Sequence, residues 1–194
     1  MQNEKLDAIG ISDASVIRSA SESESCDAQG VYTVECYDKD GNLKWSDTAH
    51  NVVATVGKNL ALDTYLAGAA YTVVGPFMGL ISSVSFSAVA AADTMSSHAG
   101  WTEAGVTNAP TYTIPRKTAA WSAAAAGAKA LSASLSFPIT GSGTIKGCFI
   151  VFGTGAVSTI DNTSGTLYSA GLFTGGDKVV VNTDTVNVSY TASL

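Results

Sequence analysis

The residues able to do chemistry are few. His50 and His98 are the only imidazoles, no serine sits in a G-x-S-x-G elbow, and no H-E-x-x-H pair is present, so hydrolytic catalysis has little support. His98 with Asp93 and Glu103 could be drawn as an acid–base cluster, but residues of these types in a loop more often make local hydrogen bonds. His50 beside Asn51 reads the same way. Glycoside cleavage needs two carboxylates across a cleft, and beyond residue 48 the only acids are Asp63, Asp93, Glu103, Asp161, Asp177 and Asp184, most of them in turns or caps. Gly153-Thr154-Gly155 follows an apolar run as a dinucleotide fingerprint would, yet the third glycine is missing and no phosphate-binding helix can follow, so a hairpin loop is expected there. Asp38-Lys39-Asp40-Gly41-Asn42 resembles the start of a calcium loop but has Ala49 where an EF-hand places its closing glutamate. Asn162-Thr163-Ser164 and Asn187-Val188-Ser189 fit the glycosylation pattern, a match expected by chance without a secretion signal. The sequence thus offers no catalytic residue, cofactor site or metal site.

The elements that would position these residues are mostly strands. Val31 to Tyr37 alternates with period two, the Asp38–Asn42 turn follows, and Leu43 to Ser46 returns as the second strand of a hairpin. Gly57 to Ala67 is the best helix, with Leu62, Tyr65 and Leu66 on one face, the amphipathic pattern of a helix laid against a core. Phe77 to Phe86, Ala130 to Phe137, Thr144 to Phe152, Thr166 to Phe173, Lys178 to Val181 and Asp184 to Ala192 read as strands. The unbroken apolar end of Thr144–Phe152 predicts a mid-sheet strand buried on both faces. The alanine runs Ala88–Ala92 and Ala123–Ala126 fall in surface loops, Asp93 would cap one helical turn through Ser97, and Ala104–Lys117, with Pro110 and Pro115, would cross the body as an extended loop. Short strands punctuated this often predict a mainly β fold, a β-sandwich or jelly roll with one short helix and long loops.

Composition sets the partners. Charged residues make up 13% of the chain, about half the usual share, while Ala, Ser, Thr and Gly fill 92 of its 194 positions. Residues 1–48 carry ten acids and four bases; residues 49–194 carry six of each, so the whole net charge of −6 lies at the front. A neutral body behind an acidic front disfavours nucleic acid as partner. No 18-residue apolar span and no basic leader followed by an apolar stretch are present, so neither a membrane span nor a signal peptide is expected. Cys26, Cys36 and Cys148 form no C-x-x-C pair and are read as reduced thiols. Residues 1–29, rich in Ser and acids, form an N-terminal arm, either a solvated tail or a segment that orders against a neighbour, with a short amphipathic helix around residues 8–20 in either case. Residues 30–194 form the body. Aromatic side chains spread through so little charge are what interface cores show, and Trp101 and Trp121 are the expected subunit contacts.

The order of certain blocks adds a resemblance. His50-Asn51-Val52-Val53 leads to Gly57-Lys58-Asn59-Leu60-Ala61-Leu62-Asp63, then Gly79-Leu80-Ile81 and Asp93 to Glu103. Tyr112 with Arg116 and Trp121, Gly147-Cys148-Phe149-Ile150, and Leu167 to Phe173 before Gly176-Asp177 follow. From about Leu43 onward the chain resembles a loosely defined family of small virion proteins of tailed bacteriophages. The resemblance implies a structural role without catalysis: a capsid cement or decoration protein, or else a tail- or fibre-associated module that binds a receptor. It also implies localisation to the virion, assembled in the bacterial host cytoplasm, with the major capsid protein or another virion protein as partner and a homo-oligomeric state. Tyr112 and Arg116 join the two tryptophans as candidate contacts.

Overall fold

A computed structural model describes residues 28–66 and 74–193. Nearly all of the acidic arm, with Cys26 and the helix expected around residues 8–20, lies outside the described residues. The elements are β1 (Gln29–Tyr37), β2 (Leu43–Val53), α1 (Thr55–Leu66), β3 (Phe77–Ser82), β4 (Thr111–Tyr112), β5 (Lys117–Thr118), β6 (Ala128–Ala130), β7 (Leu135–Gly141), β8 (Gly143–Phe152), β9 (Thr166–Phe173), β10 (Lys178–Val180) and β11 (Thr185–Ser193). The fold is mainly β and sandwich-like, a curled antiparallel sheet in the order β4-β7-β11-β1-β2-β9-β8-β3-β5. Its two margins, β4 and β5, are neighbours in sequence. The Ala104–Lys117 segment therefore does cross the body, and its short strands pull the two edges of the sheet together.

The period-two pattern of β1 buries Tyr32, Val34 and Cys36 while Thr33 faces solvent. The turn that follows is held by Asp38, whose Oδ1 accepts the Asp40 and Asn42 backbone N–H groups, both at 2.9 Å. The asparagine side chain and these amides hold the Asp38 carboxyl below its usual range. Inside the curl, Tyr32, Val34, Val186, Val188 and Tyr190 pack against Met78, Leu80, Phe137, Ile139, Ile145 and Ile150. A second core lies on the outer face of β8 and β9, where Phe149, Val151 and Leu167 meet Met95 and Trp101 from the 83–104 loop. As expected, β8 is buried on both faces, flanked by β9 and β3. A register shift against Ile81 and Ser82 takes Lys146 out of step, so that Ile145 and Cys148 share the inner core and Lys146 reaches Asp177 at 2.8 Å.

Several expectations are corrected. The strand expected over Ala130–Phe137 is two, because β6 pairs the far half of β11 and β7 its near half, and after Leu131, whose N–H still donates to the Tyr190 carbonyl oxygen at 3.0 Å, residues 132–134 loop out between them. The strand from Phe77 stops at Ser82, where the Ser82 hydroxyl accepts the Val84 N–H at 3.0 Å and Ser85 adopts positive φ. Asp93 caps no helical turn; it accepts the N–H of Ala90 upstream at 2.9 Å, and Thr94 and Ser97 form an isolated bridge. Helix α1 also turns its stripe the other way: Leu62 and Leu66 are 55% and 74% exposed. The close face is the one with Gly57, where an added Cβ would lie 2.7 Å from the Tyr168 carbonyl oxygen, so helix and β9 approach more nearly than larger residues allow.

Candidate functional site

The three residues drawn as an acid–base cluster do converge, around Trp101. Its indole Nε1–H donates to Asp93 Oδ2 at 3.0 Å, and the His98 ring stacks on it with centroids 4.0 Å apart, His98 Nδ1 lying 3.0 Å from the Trp101 carbonyl oxygen. His98, Trp101 and Glu103 share a small cavity of about 130 Å³ with Arg116, Asp161 and Asn162.

Glu103 is already committed there. Arg116 grips it from Nε to Oε1 at 2.8 Å and from Nη2 to Oε2 at 2.6 Å, and the Asp161 N–H donates to Oε2 at 2.8 Å. Asp161 itself adopts φ 60°. Burial pushes the Glu103 carboxyl above its ordinary range, and the guanidinium only partly offsets this. Arg116 also donates to the carbonyl oxygens of Asn162 at 2.7 Å and Val157 at 3.2 Å and lies 5.4 Å from the Phe149 ring centroid. A carboxylate whose two oxygens both receive donors acts as an anchor rather than a base: this one ties the 103–108 and 157–162 loops to the segment that closes the sheet.

Burial corrects three of the four expected subunit contacts. Trp101 and Tyr112 are each 2% exposed and Arg116 1%, so their side chains serve the interior and present no surface to a neighbour. Tyr112 packs edge-on against Phe137 at 5.1 Å. Only Trp121 borders open space. It stands edge-on to Tyr190 at 5.8 Å and lines an apolar groove of about 340 Å³ with Ile150, Tyr168 and Ala192. A second groove of about 360 Å³, walled by Val53, Ala61 and Ala128, adjoins it through Tyr168, Lys129 and Ala192. The alanine-rich loop was legible only as a loop; that its small side chains wall a groove follows from α1 lying opposite.

Sequence reasoning also missed the ion pairs that brace the sheet. Asp184, 1% exposed, receives Lys44 Nζ at 2.5 Å and the Val181 N–H at 2.8 Å, and Asp47 receives Lys178 at 2.7 Å. Burial, then the nearby Asp184 carboxylate, pushes the Cys36 thiol up to about 12. His50 lies exposed on β2. Among the described residues, no group of three or more His, Cys, Asp or Glu is placed to hold a metal, and no helix is long and apolar enough to cross a membrane. No family model, curated protein or solved structure matches the chain.

Proposed function

We propose that this chain is a structural subunit of a tailed-phage virion, a cement or decoration protein that binds the head shell and stabilises it. The observation that carries the reading is an outward apolar face: Leu62 and Leu66 stand exposed on α1, the helix whose Lys58 and Ala61 wall the second groove. Contact surfaces that are apolar at their centre and depleted of charge are those that proteins bury against one another. Val106, Ile114 and Val179, each about 60% exposed, extend this character to other sides of the body, as a subunit with several neighbours in a lattice requires. The buried charged groups, Glu103, Arg116 and Asp184, brace the shape of the subunit.

The groove bordered by Trp121 and Tyr168 favours a second reading, a fibre-associated module stacking a host sugar on its aromatic wall. One pair of assays separates the two. Saturable uptake onto undecorated capsids supports the cement role, whereas binding on a glycan array with no capsid uptake replaces it with the receptor role.

A further inference from the structure

We propose that the groove between α1 and the 124–129 loop is the seat of the chain's own N-terminal segment, Ile9 to Ile17. Ala28, the first described residue, is itself part of the groove wall, so residues 1–27 depart from the body at this place. The groove is apolar, formed by Val53, Ala61, Ala128, Tyr168 and Ala192, and its volume of about 360 Å³ is in the range of sites that enclose several side chains. The arm supplies a matching set: Ile9, Ile11, Val16 and Ile17, the only cluster of large aliphatic residues in its length after Leu6. Between Ile17 and Ala28 lies a polar spacer of ten residues, Arg18–Asp27. At up to roughly 3.3–3.6 Å per residue it can run outward and return to its own root.

Charge supports the same pairing. Lys58 and Lys129 stand on the groove, and neither forms an ion pair among the described residues. The first 27 residues hold six acids and two bases, with Glu22, Glu24 and Asp27 in the spacer nearest the root. Because the segment is tethered at the groove, its effective concentration there reaches the millimolar range set by short flexible linkers, which favours its own chain over a second copy at dilute concentration. The inference does not depend on the virion role and holds wherever the chain acts.

Hydrogen exchange of the full chain, read by mass spectrometry at several protein concentrations, tests it. The peptide spanning residues 9–17 is expected to exchange at least about tenfold more slowly than an unstructured chain, independently of concentration. In Ala61→Trp, which fills the groove from an exposed helix position, that protection should be lost while β8 stays protected. In the Lys58→Glu, Lys129→Glu double variant it should fall, and added salt should raise it where salt lowers it in the unaltered chain. Exchange of 9–17 at the unstructured rate in the unaltered chain overturns the proposal. So does protection that survives Ala61→Trp, or protection that grows with concentration, which would assign the groove to a second copy.

Discussion

Arg116→Met is the sharpest probe of how the curled sheet is closed. The substitution keeps an unbranched side chain of similar length but removes four hydrogen bonds: two to Glu103, at 2.8 and 2.6 Å, and those to the Asn162 and Val157 carbonyl oxygens. Glu103, 5% exposed, keeps only the Asp161 N–H as donor. Removing one partner of a buried ion pair costs about 3–5 kcal/mol, chiefly because the other charge stays buried and uncompensated. Ordinary domains hold about 5–15 kcal/mol in all, so the variant should lose about a fifth of its stability or more. At roughly 2–4 °C per kcal/mol for a chain of this size, Tm should fall by roughly 6–20 °C. Urea unfolding followed by tryptophan fluorescence measures the loss.

The deficit should also depend on pH. Burial already raises the Glu103 carboxyl, and without the guanidinium that rise grows. A raised folded pKa means that the folded state holds its proton more tightly than the unfolded one. The variant therefore loses stability as pH rises from the unfolded glutamate value of about 4.3 through the raised folded value. Its deficit against the parent should be smaller near pH 4, where the lost bonds to the Asn162 and Val157 carbonyl oxygens remain but the orphaned charge is neutralised, than at pH 7. Glu103→Gln added to Arg116→Met should recover part of the pH 7 deficit by removing that charge. An Arg116→Met variant within about 1 kcal/mol of the parent at pH 7 would mean that the Arg116–Glu103 pair does not hold the curled sheet closed.

Other expectations follow from single contacts. In Gly79→Ala the new Cβ would meet the Phe149 ring and lie 2.9 Å from Glu103 Oε1, so a loss of about 1–3 kcal/mol is expected in urea titration. Trp101→Phe keeps most of the packing but gives up the indole donor to Asp93, costing about 1.5–3 kcal/mol by thermal melting, whereas Trp101→Ala should cost about 3–5 kcal/mol. With Cys26→Ser in place, Cys36 and Cys148 should resist a thiol reagent at pH 8 until the chain unfolds, since both are buried and burial pushes both thiols up. Leu62→Ser with Leu66→Ser should change stability by no more than about 0.5 kcal/mol per site, because both side chains are exposed, yet should weaken uptake onto undecorated capsids.

The strands were legible wherever one physical signal governed them. Alternation set β1, and the apolar run Cys148–Phe152 set a strand buried on both faces. The split between β6 and β7 was not legible, because the serine–apolar alternation runs straight through residues 131–134 and only the pairing with β11 breaks it. Helix α1 misled for a related reason. Its leucines form a stripe, as a buried face would, but closeness to β9 was decided by Gly57, whose lack of a side chain carries no hydropathy signal. Trp101, Tyr112 and Arg116 stood out as aromatic or charged residues in a charge-poor chain. That contrast marked them as special without saying whether they face a neighbour or the interior. The pairing of Glu103 with Arg116 spans thirteen positions of mostly irregular chain, broken only by the two-residue β4, where no periodicity exists to read.

The central claim, a structural subunit on the head shell, is tested most directly by cryo-electron microscopy of the virion that carries this chain. Density for the β body should repeat over the shell lattice, with Leu62 and Leu66 of α1 turned into a contact. Density confined to the tail, or a particle that lacks the chain, would contradict it.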